Sequence, residues 1–464
     1  MEATRLARNV TAVLAFVMGL TGIPQAFGDE PRGEWSGVGA GLSDAGLALT
    51  VFDDGSGEAL YAAGAFIEAG GNTVNCVAKW DGTEWSDLNG GVTAATQAFI
   101  SALAVFNDGT GDALYACGYF DEAGGVPVSH IAKWNGAEWS ALGSGLSGGF
   151  AQGFALAVFD DGNGRALYAG GFFTHAGGIP ANSIAKWDGQ QWSALAGGLG
   201  GSPPQANVLA ASDADSDLGA ALWVGGVFQS AGGVEAYNIA KWDGSEWSAL
   251  GDGVDSDVYG LTIFDDASGD ALYVAGEFTT AGDVDAVGVA KWDGSEWSSI
   301  GGLWFEPDVE PGVGYALTVF DDGTGPALYV SGVFAMAADV EAVSIAKWDG
   351  GEWWALGDGI TFEGEPGEPY AVTAGGTWTS PAALYASGDF DAAGGVSVDF
   401  IAAWTPAIPG DLNGDGCVDQ ADLGILLADW GCSGGECPGD CDGDGDTDQS
   451  DLGILLTHWG EGCP

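Results

Sequence analysis

The chain has 464 residues, and 66 acidic against 10 basic side chains give a formal charge of −56, which excludes a nucleic-acid surface and docking on anionic lipid, both of which need a basic footprint. The acids are scattered, so they read first as a solvated surface, with divalent cations as the natural specific partners. Glycine at 83 positions is far above the usual ~7%, yet 46% of the residues are apolar and 20 are tryptophan, so the glycines read as turns in a chain that builds a core.

Residues 1–28 stand apart. Arg5 and Arg8 precede an apolar run from Val10 to Ile23, and Ala26-Phe27-Gly28 place small residues before a cut at Asp29. This predicts a secretory signal peptide and a soluble product that is secreted or held at the cell surface; a retained anchor is the other reading. No later segment reaches the ~18 apolar residues of a membrane span, so none is expected.

Residues 29–404 repeat one unit. The first tryptophan of a recurring pair falls at Trp80, Trp134, Trp187, Trp242, Trp292, Trp348 and Trp404, seven copies at intervals of 50 to 56. Such a period means an array of supersecondary units that bury their apolar faces only against one another. Each unit predicts four strands: an apolar run ending in an acidic turn (ALAVFDDG, 155–162), a second run (ALYAGGFF), the IAKW segment, and EWSALG after an Asp-Gly or Asn-Gly turn. The fold expected is all-β, a seven-bladed propeller of four-stranded blades. The array opens on a lone fourth strand at Trp35 and closes on a third strand at Trp404, so the terminal strands are expected to complete one blade.

The aromatic slot at Tyr61, Tyr115, Tyr168, Trp223, Tyr273, Tyr329 and Tyr385, with the phenylalanine five residues on, is expected to fill the wedges between blades rather than form a carbohydrate platform. Lysine recurs at 79, 133, 186, 241, 291 and 347 and becomes Ala403 in the last unit. A base inside an apolar strand needs a carboxylate, so an internal ring of ion pairs with acidic turns such as Asp53, Asp160, Asp265 and Asp321 is predicted. The variable residues before the recurring phenylalanine (Ala65, Tyr119, Phe172, Val227, Glu277, Val333, Asp389) are where blade-specific function is expected.

The repeat resembles kelch-type propellers, and more closely secreted propellers related to cell-polarity cortical markers with their LYVGGxF...IAxWDGxxW pattern, departing from kelch where Ala63-Gly64 and Ser331-Gly332 replace the Gly-Gly pair; the resemblance implies a fold and a binding role, not a reaction. The acidic turn, for example DDGTGPALYV at 321–330, resembles the calcium loops of integrin-type propellers, which would imply a calcium-dependent adhesin. Only His130 and His175 occur in the array, at non-equivalent places, with no nucleophile elbow, and a paired-carboxylate glycosidase has no positive support among so many acids.

After a linker at 405–410, residues 411–464 follow another pattern. DLNGDGCVDQAD (411–422) and DCDGDGDTDQSD (440–451) carry oxygen side chains at positions 1, 3, 5, 9 and 12 and glycine at 6, the spacing that wraps Ca²⁺. The expected ligands are Asp411, Asn413, Asp415, Asp419 and Asp422, then Asp440, Asp442, Asp444, Asp448 and Asp451, with the backbone carbonyls of Cys417 and Asp446. Two structural calcium ions are predicted. Each loop leads into a short helix, LGILLADWG or LGILLTHWG.

These tandem EF-hand-like loop-and-helix halves resemble a type I dockerin. The resemblance implies docking onto a cohesin, with Gln420, Ala421, Gln449 and Ser450 at the recognition positions, whose near symmetry resembles dockerins able to bind in two orientations. It also admits a second reading, a glycoside hydrolase or lyase of polysaccharide breakdown. Departures are Asp at position 12, Thr447 where an aliphatic is usual, and no basic residues after the helices. Five cysteines lie here (417, 432, 437, 441, 463), and export permits disulfides whose connectivity the sequence leaves open. Cys76 and Cys117 fall in neighbouring units, and a bond between them is one option. The functional expectation is a non-catalytic exported scaffold: a propeller that binds a protein or glycan, tethered through its tail to a cohesin-like or cell-surface partner.

Overall fold

The computed structural model describes residues 33–306, 309–375, 382–414, 416–434, 437–441 and 445–463; the expected signal peptide lies outside them. Between Gly33 and Pro406 the regular structure of the described residues is all β, with four-stranded antiparallel sheets of one topology in a propeller-like arrangement. The first sheet takes Gly46–Asp53, Glu58–Gly64, Val77–Trp80 and Trp85–Asp87 in order, and five more repeat that pattern. The last joins Glu368–Ala374, Leu384–Asp389 and Ile401–Pro406 to Gly33–Gly37, with Trp35 opposite Trp404. Terminal-strand completion is therefore as expected.

The innermost strand of each sheet lies against that of the next, and Glu368–Ala374 lies against Gly46–Asp53, so the succession is cyclic. A chain of tryptophan bonds follows the same cycle. The second indole of each pair donates to a backbone carbonyl of the preceding sheet: Trp85 to Val38 (3.0 Å), Trp139 to Leu88 (2.7 Å), Trp192 to Leu142 (2.9 Å), and so on to Trp35, which donates to Leu356 (3.0 Å).

The wedges are filled as the repeat implies. Tyr61, Tyr115, Tyr168, Tyr273 and Tyr329 are wholly buried, and Tyr61 packs with Leu114, Ala116 and Phe120 of the next sheet. Backbones approach closely where the sheets' turns meet. Gly136, at φ +94°, sits where a Cβ would stand 2.8 Å from the carbonyl oxygen of Asp54 in the preceding sheet.

Two details depart from expectation. Short strands between the second and third long strands, such as Glu122–Ala123 and Val126–Pro127, form small sheets at one end of each large sheet. Their two-residue length gives no periodicity to read; the recurring AGG and AGD turns were their trace in the sequence. Cys76 and Cys117 are separate buried thiols, the former donating to the Ala98 carbonyl at 3.3 Å.

The tail carries α1 (Gln420–Asp429) and α2 (Gln449–Thr457), packed on each other around Val418, Leu426 and Leu455.

Candidate functional site

The lysines meet carboxylates, but one residue later than predicted. Lys79 Nζ lies 2.7 Å from Asp54 Oδ2 and Lys133 Nζ 2.5 Å from Asp108; Lys186, Lys291 and Lys347 pair with Asp161, Asp266 and Asp322. Asp53 instead turns its Oδ1 onto the N–H groups of Gly55 (2.8 Å) and Gly57 (3.0 Å), shaping the turn. Successive strand residues face opposite ways, so the second acid faces the lysine. Tyr61 Oη donates to the same Asp54 oxygen at 2.8 Å, making a tyrosine, aspartate and lysine triad within the sheet rather than a ring around the molecule. Burial pushes Asp54 up, but the bonds from Lys79, Ser56 and Tyr61 outweigh it and hold the carboxyl at about 2. Lys241 has no such acid; it donates to the Leu218 carbonyl (2.9 Å) beneath the Trp223 ring. In five of these turns the second aspartate is thus paired with a lysine ammonium.

In the tail, the two halves repeat one geometry. Asp419 caps α1 and accepts from Ala421 N, while Asp422 Oδ2 accepts from Asp419 N at 2.8 Å; Asp448 and Asp451 do the same on α2. The other Asp422 oxygen accepts from Leu412 N (2.9 Å) and Asn413 N (3.1 Å), closing the loop over its own start. Asp411 accepts from Gly414 N and Gly416 N, and Asp440 from Gly445 N. Position 8 of each loop pairs with the segment after the opposite helix: Val418 with Gly460 and Glu461, Thr447 with Gly431 and Cys432. The departure at Thr447 is absorbed by a bond from its hydroxyl to Asp429 (2.7 Å).

Asp422 and Asp451 are buried (0% and 1% exposed) in a segment of thirteen acids without one lysine or arginine. Carboxylate oxygens of Asp446, Asp448 and Asp451 come within 4.8 Å of one another, so Asp446 brings its side chain, where only its carbonyl was expected. This donor set, hard, anionic and lacking a base, fits Ca²⁺. Asp411, Asn413, Asp419 and Asp422 belong to one loop and Asp440, Asp446, Asp448 and Asp451 to the other; Asp415, Asp442 and Asp444 lie outside the described residues. The backbone of Cys417 continues the first loop, and its sulfur bonds Cys463; Cys432 bonds Cys437. Gln420, Ala421, Gln449 and Ser450 are exposed at the helix starts. Leu427 with Trp430 and Leu456 with Trp459 expose matching apolar pairs further along.

A third constellation leaves no trace in the repeat pattern. Bulges in the innermost strands of six sheets bring a residue to the lining of a central cavity of about 220 Å³, and three consecutive sheets place tyrosine there: Tyr259, Tyr315 and Tyr370. Ring centroids are 5.7 Å and 5.3 Å apart along the row. Tyr259 Oη lies 3.3 Å from Asp257 and 3.5 Å from Glu277, and Tyr370 Oη donates to Glu368. Burial, then the charges of Glu368 and Glu277, push the Tyr315 phenol up to about 12. Only Glu277 and Asp389, among the variable positions, could have pointed here. His130 stacks on Tyr119 (5.4 Å), and His175 bonds Thr174 in a different sheet.

No family model and no curated protein matches the chain. Among solved structures it is similar to an extracellular domain assigned to a hybrid two-component system of B. thetaiotaomicron (9% identity, TM-score 0.46), covering 80% of this chain and 39% of that one. It is also similar to BBS1N, solved in complex with ARL6DN (12% identity, TM-score 0.46), covering 82% of this chain and 97% of that one. Likenesses this distant carry no function.

Proposed function

We propose that the protein is an exported, non-catalytic binding scaffold: a seven-bladed propeller closed by its amino-terminal strand, tethered through a dockerin-like, calcium-ordered tail to a cohesin-like or cell-surface partner. The observation that carries this reading is the doubled loop-and-helix geometry with a buried position-12 carboxylate in each half and no lysine or arginine in the segment. Clustered carboxylates repel until a cation neutralises them, so Ca²⁺ would supply the missing positive charge and let α1 and α2 pack. The matching Leu427/Trp430 and Leu456/Trp459 pairs, with Gln420, Ala421, Gln449 and Ser450, then form two equivalent faces for docking.

Calorimetry of Ca²⁺ into the chelator-treated full chain tests the tail. About two sites are expected, one lost in Asp422→Ala and one in Asp451→Ala. Binding heats that survive the double substitution would remove the tail from the account. A second reading, a polysaccharide-cleaving propeller, is favoured by Asp257 and Glu277 converging on one phenol at the channel mouth. Release of reducing ends from an oligosaccharide decides for it.

A further inference from the structure

The two ends of the large sheets differ in chemistry. All seven described lysines and arginines lie toward the hairpin-turn end: five lysines in triads, Lys241 on a carbonyl, and Arg165 opposite Asp160 at its turn. The end with the small sheets has none among the described residues. It also carries the large apolar side chains exposed among the described residues of 33–406, such as Ile67, Phe150, Val234, Phe305, Val309 and Phe362. At its centre opens the cavity with the tyrosine row. The strand Ile401–Pro406 runs away from this end, so the tail departs from the opposite face and leaves this one presented.

The molecule supplies its own measure of what the tyrosine row is suited to hold. In five sheets a tyrosine hydroxyl and an ammonium share one aspartate, with the lysine nitrogen about 5.9 Å from the ring centroid in three of the four sheets where that approach is found, as for Lys79 over Tyr61. At the channel mouth the same parts recur, with Tyr259 and Tyr370 bonded to carboxylates and no lysine or arginine among the described residues of that end. Equivalent positions in the other sheets are Leu47, Ser101, Phe154 and Asn207, so the feature belongs to three sheets and not to the repeat. A cation there gains from the ring faces and from Asp257, Glu277 and Glu368 together.

We propose that Tyr259, Tyr315 and Tyr370, with Asp257, Glu277 and Glu368, form a pocket for an arginine or lysine side chain of a partner protein that docks on the small-sheet face. This deepens the scaffold reading and rests on it. The exposed apolar residues surround the anchor and contact the flanking chain; charge complementarity sets the partner as basic.

The test is carbon-13 tyrosine NMR on the full chain, titrated with acetyl-Gly-Arg-Gly amide and its neutral citrulline analogue. Resonances of Tyr259, Tyr315 and Tyr370 are expected to move with the arginine peptide, and the citrulline peptide to bind at least about tenfold more weakly. The Glu277→Gln/Glu368→Gln double variant should weaken the arginine peptide by about tenfold or more, and Glu235→Gln, on the same face but outside the pocket, by less than about twofold. Equal loss in both variants would mean diffuse charge and overturn the pocket. Silence of the three tyrosines, or their response to cellohexaose and not to arginine, overturns it too while leaving the scaffold reading standing. Cleavage of the cellohexaose would overturn the scaffold reading itself.

Discussion

The indole of Trp35 donates to the carbonyl of Leu356 at 3.0 Å across 321 residues of chain, and so joins the first described strand to the penultimate large sheet. The same bond links every other pair of neighbouring sheets, but here the strand that carries it lies far in sequence from the sheet that it completes. Gly33–Gly37 has no covalent connection to the sheet it completes, so its pairing with Ile401–Pro406 and this indole bond hold it in place.

Trp35→Phe keeps most of the apolar contact and removes the donor, leaving the Leu356 carbonyl without its partner. The expected loss is roughly 1–3 kcal/mol, read from urea unfolding. Deleting residues 33–37 exposes the edge of Ile401–Pro406, and concentration-dependent dimers or larger species are expected in light scattering. A strand-deleted protein that stays monomeric and equally stable would show that the cycle does not depend on this closure.

The five ion pairs differ in exposure, and stability should follow that difference. Lys347 and Asp322 are 3% and 2% exposed, against 13% and 14% for Lys79 and Asp54. Asp322→Asn leaves an ammonium buried without its counter-charge and is expected to cost about 3–5 kcal/mol. Asp54→Asn, nearer water, should cost about 1 kcal/mol. Thermal unfolding of both variants checks the order; equal losses would mean that water reaches both sites alike.

The repeat made the large sheets legible, because each apolar run is long enough to show its period and the tryptophan pairs mark the unit. The lysine partner was legible in kind and missed by one position, since the pattern DD cannot say which acid turns back onto the chain until the Gly55 and Gly57 amides are placed. The tyrosine row was invisible for a different reason. Tyr259, Tyr315 and Tyr370 come together only when bulges in three strands more than 50 residues apart aim them into one cavity. In the tail, the repeated acidic spacing marked two segments that fold alike, whereas the crossed pairing of Val418 and Thr447 depends on contacts that spacing does not encode.

Acid should weaken the triads in a definite window. Asp54, Asp108 and Asp266 are held at about 2 against an ordinary 3.8: burial raises each, and bonds from lysine, the neighbouring hydroxyl and tyrosine outweigh it. Above pH ~4 both folded and unfolded carboxyls are ionised and the contribution is complete; between about pH 4 and 2 the unfolded chain takes up protons first and the contribution is lost. Allowing for solvent screening, this is on the order of 1 kcal/mol per site. The stability gap between wild type and Asp54→Asn should therefore shrink from pH 5 to pH 2. Comparing the two proteins cancels the general relief of repulsion as other carboxylates neutralise. A gap that holds constant to pH 2 would contradict the low folded value.

The tail has few buried apolar side chains, chiefly Val418, Leu426 and Leu455, so its order must rest on other links. The Cys417–Cys463 bridge closes a separation of 46 residues, worth about 4 kcal/mol on the chain-entropy account, and lies beside the backbone pairing of Val418 with Gly460 and Glu461. If calcium binds only the folded tail, the bridge and the ion stabilise one state and their effects are linked. Cys463→Ser is then expected to lower the apparent calcium affinity by about tenfold to a hundredfold, because part of the binding energy goes into ordering the chain. Calorimetry gives the affinity, and amide exchange in α1 and α2 reports the order. Unchanged affinity with protected helices would mean that the loops are formed before either the bridge or the ion acts, and that calcium serves docking alone.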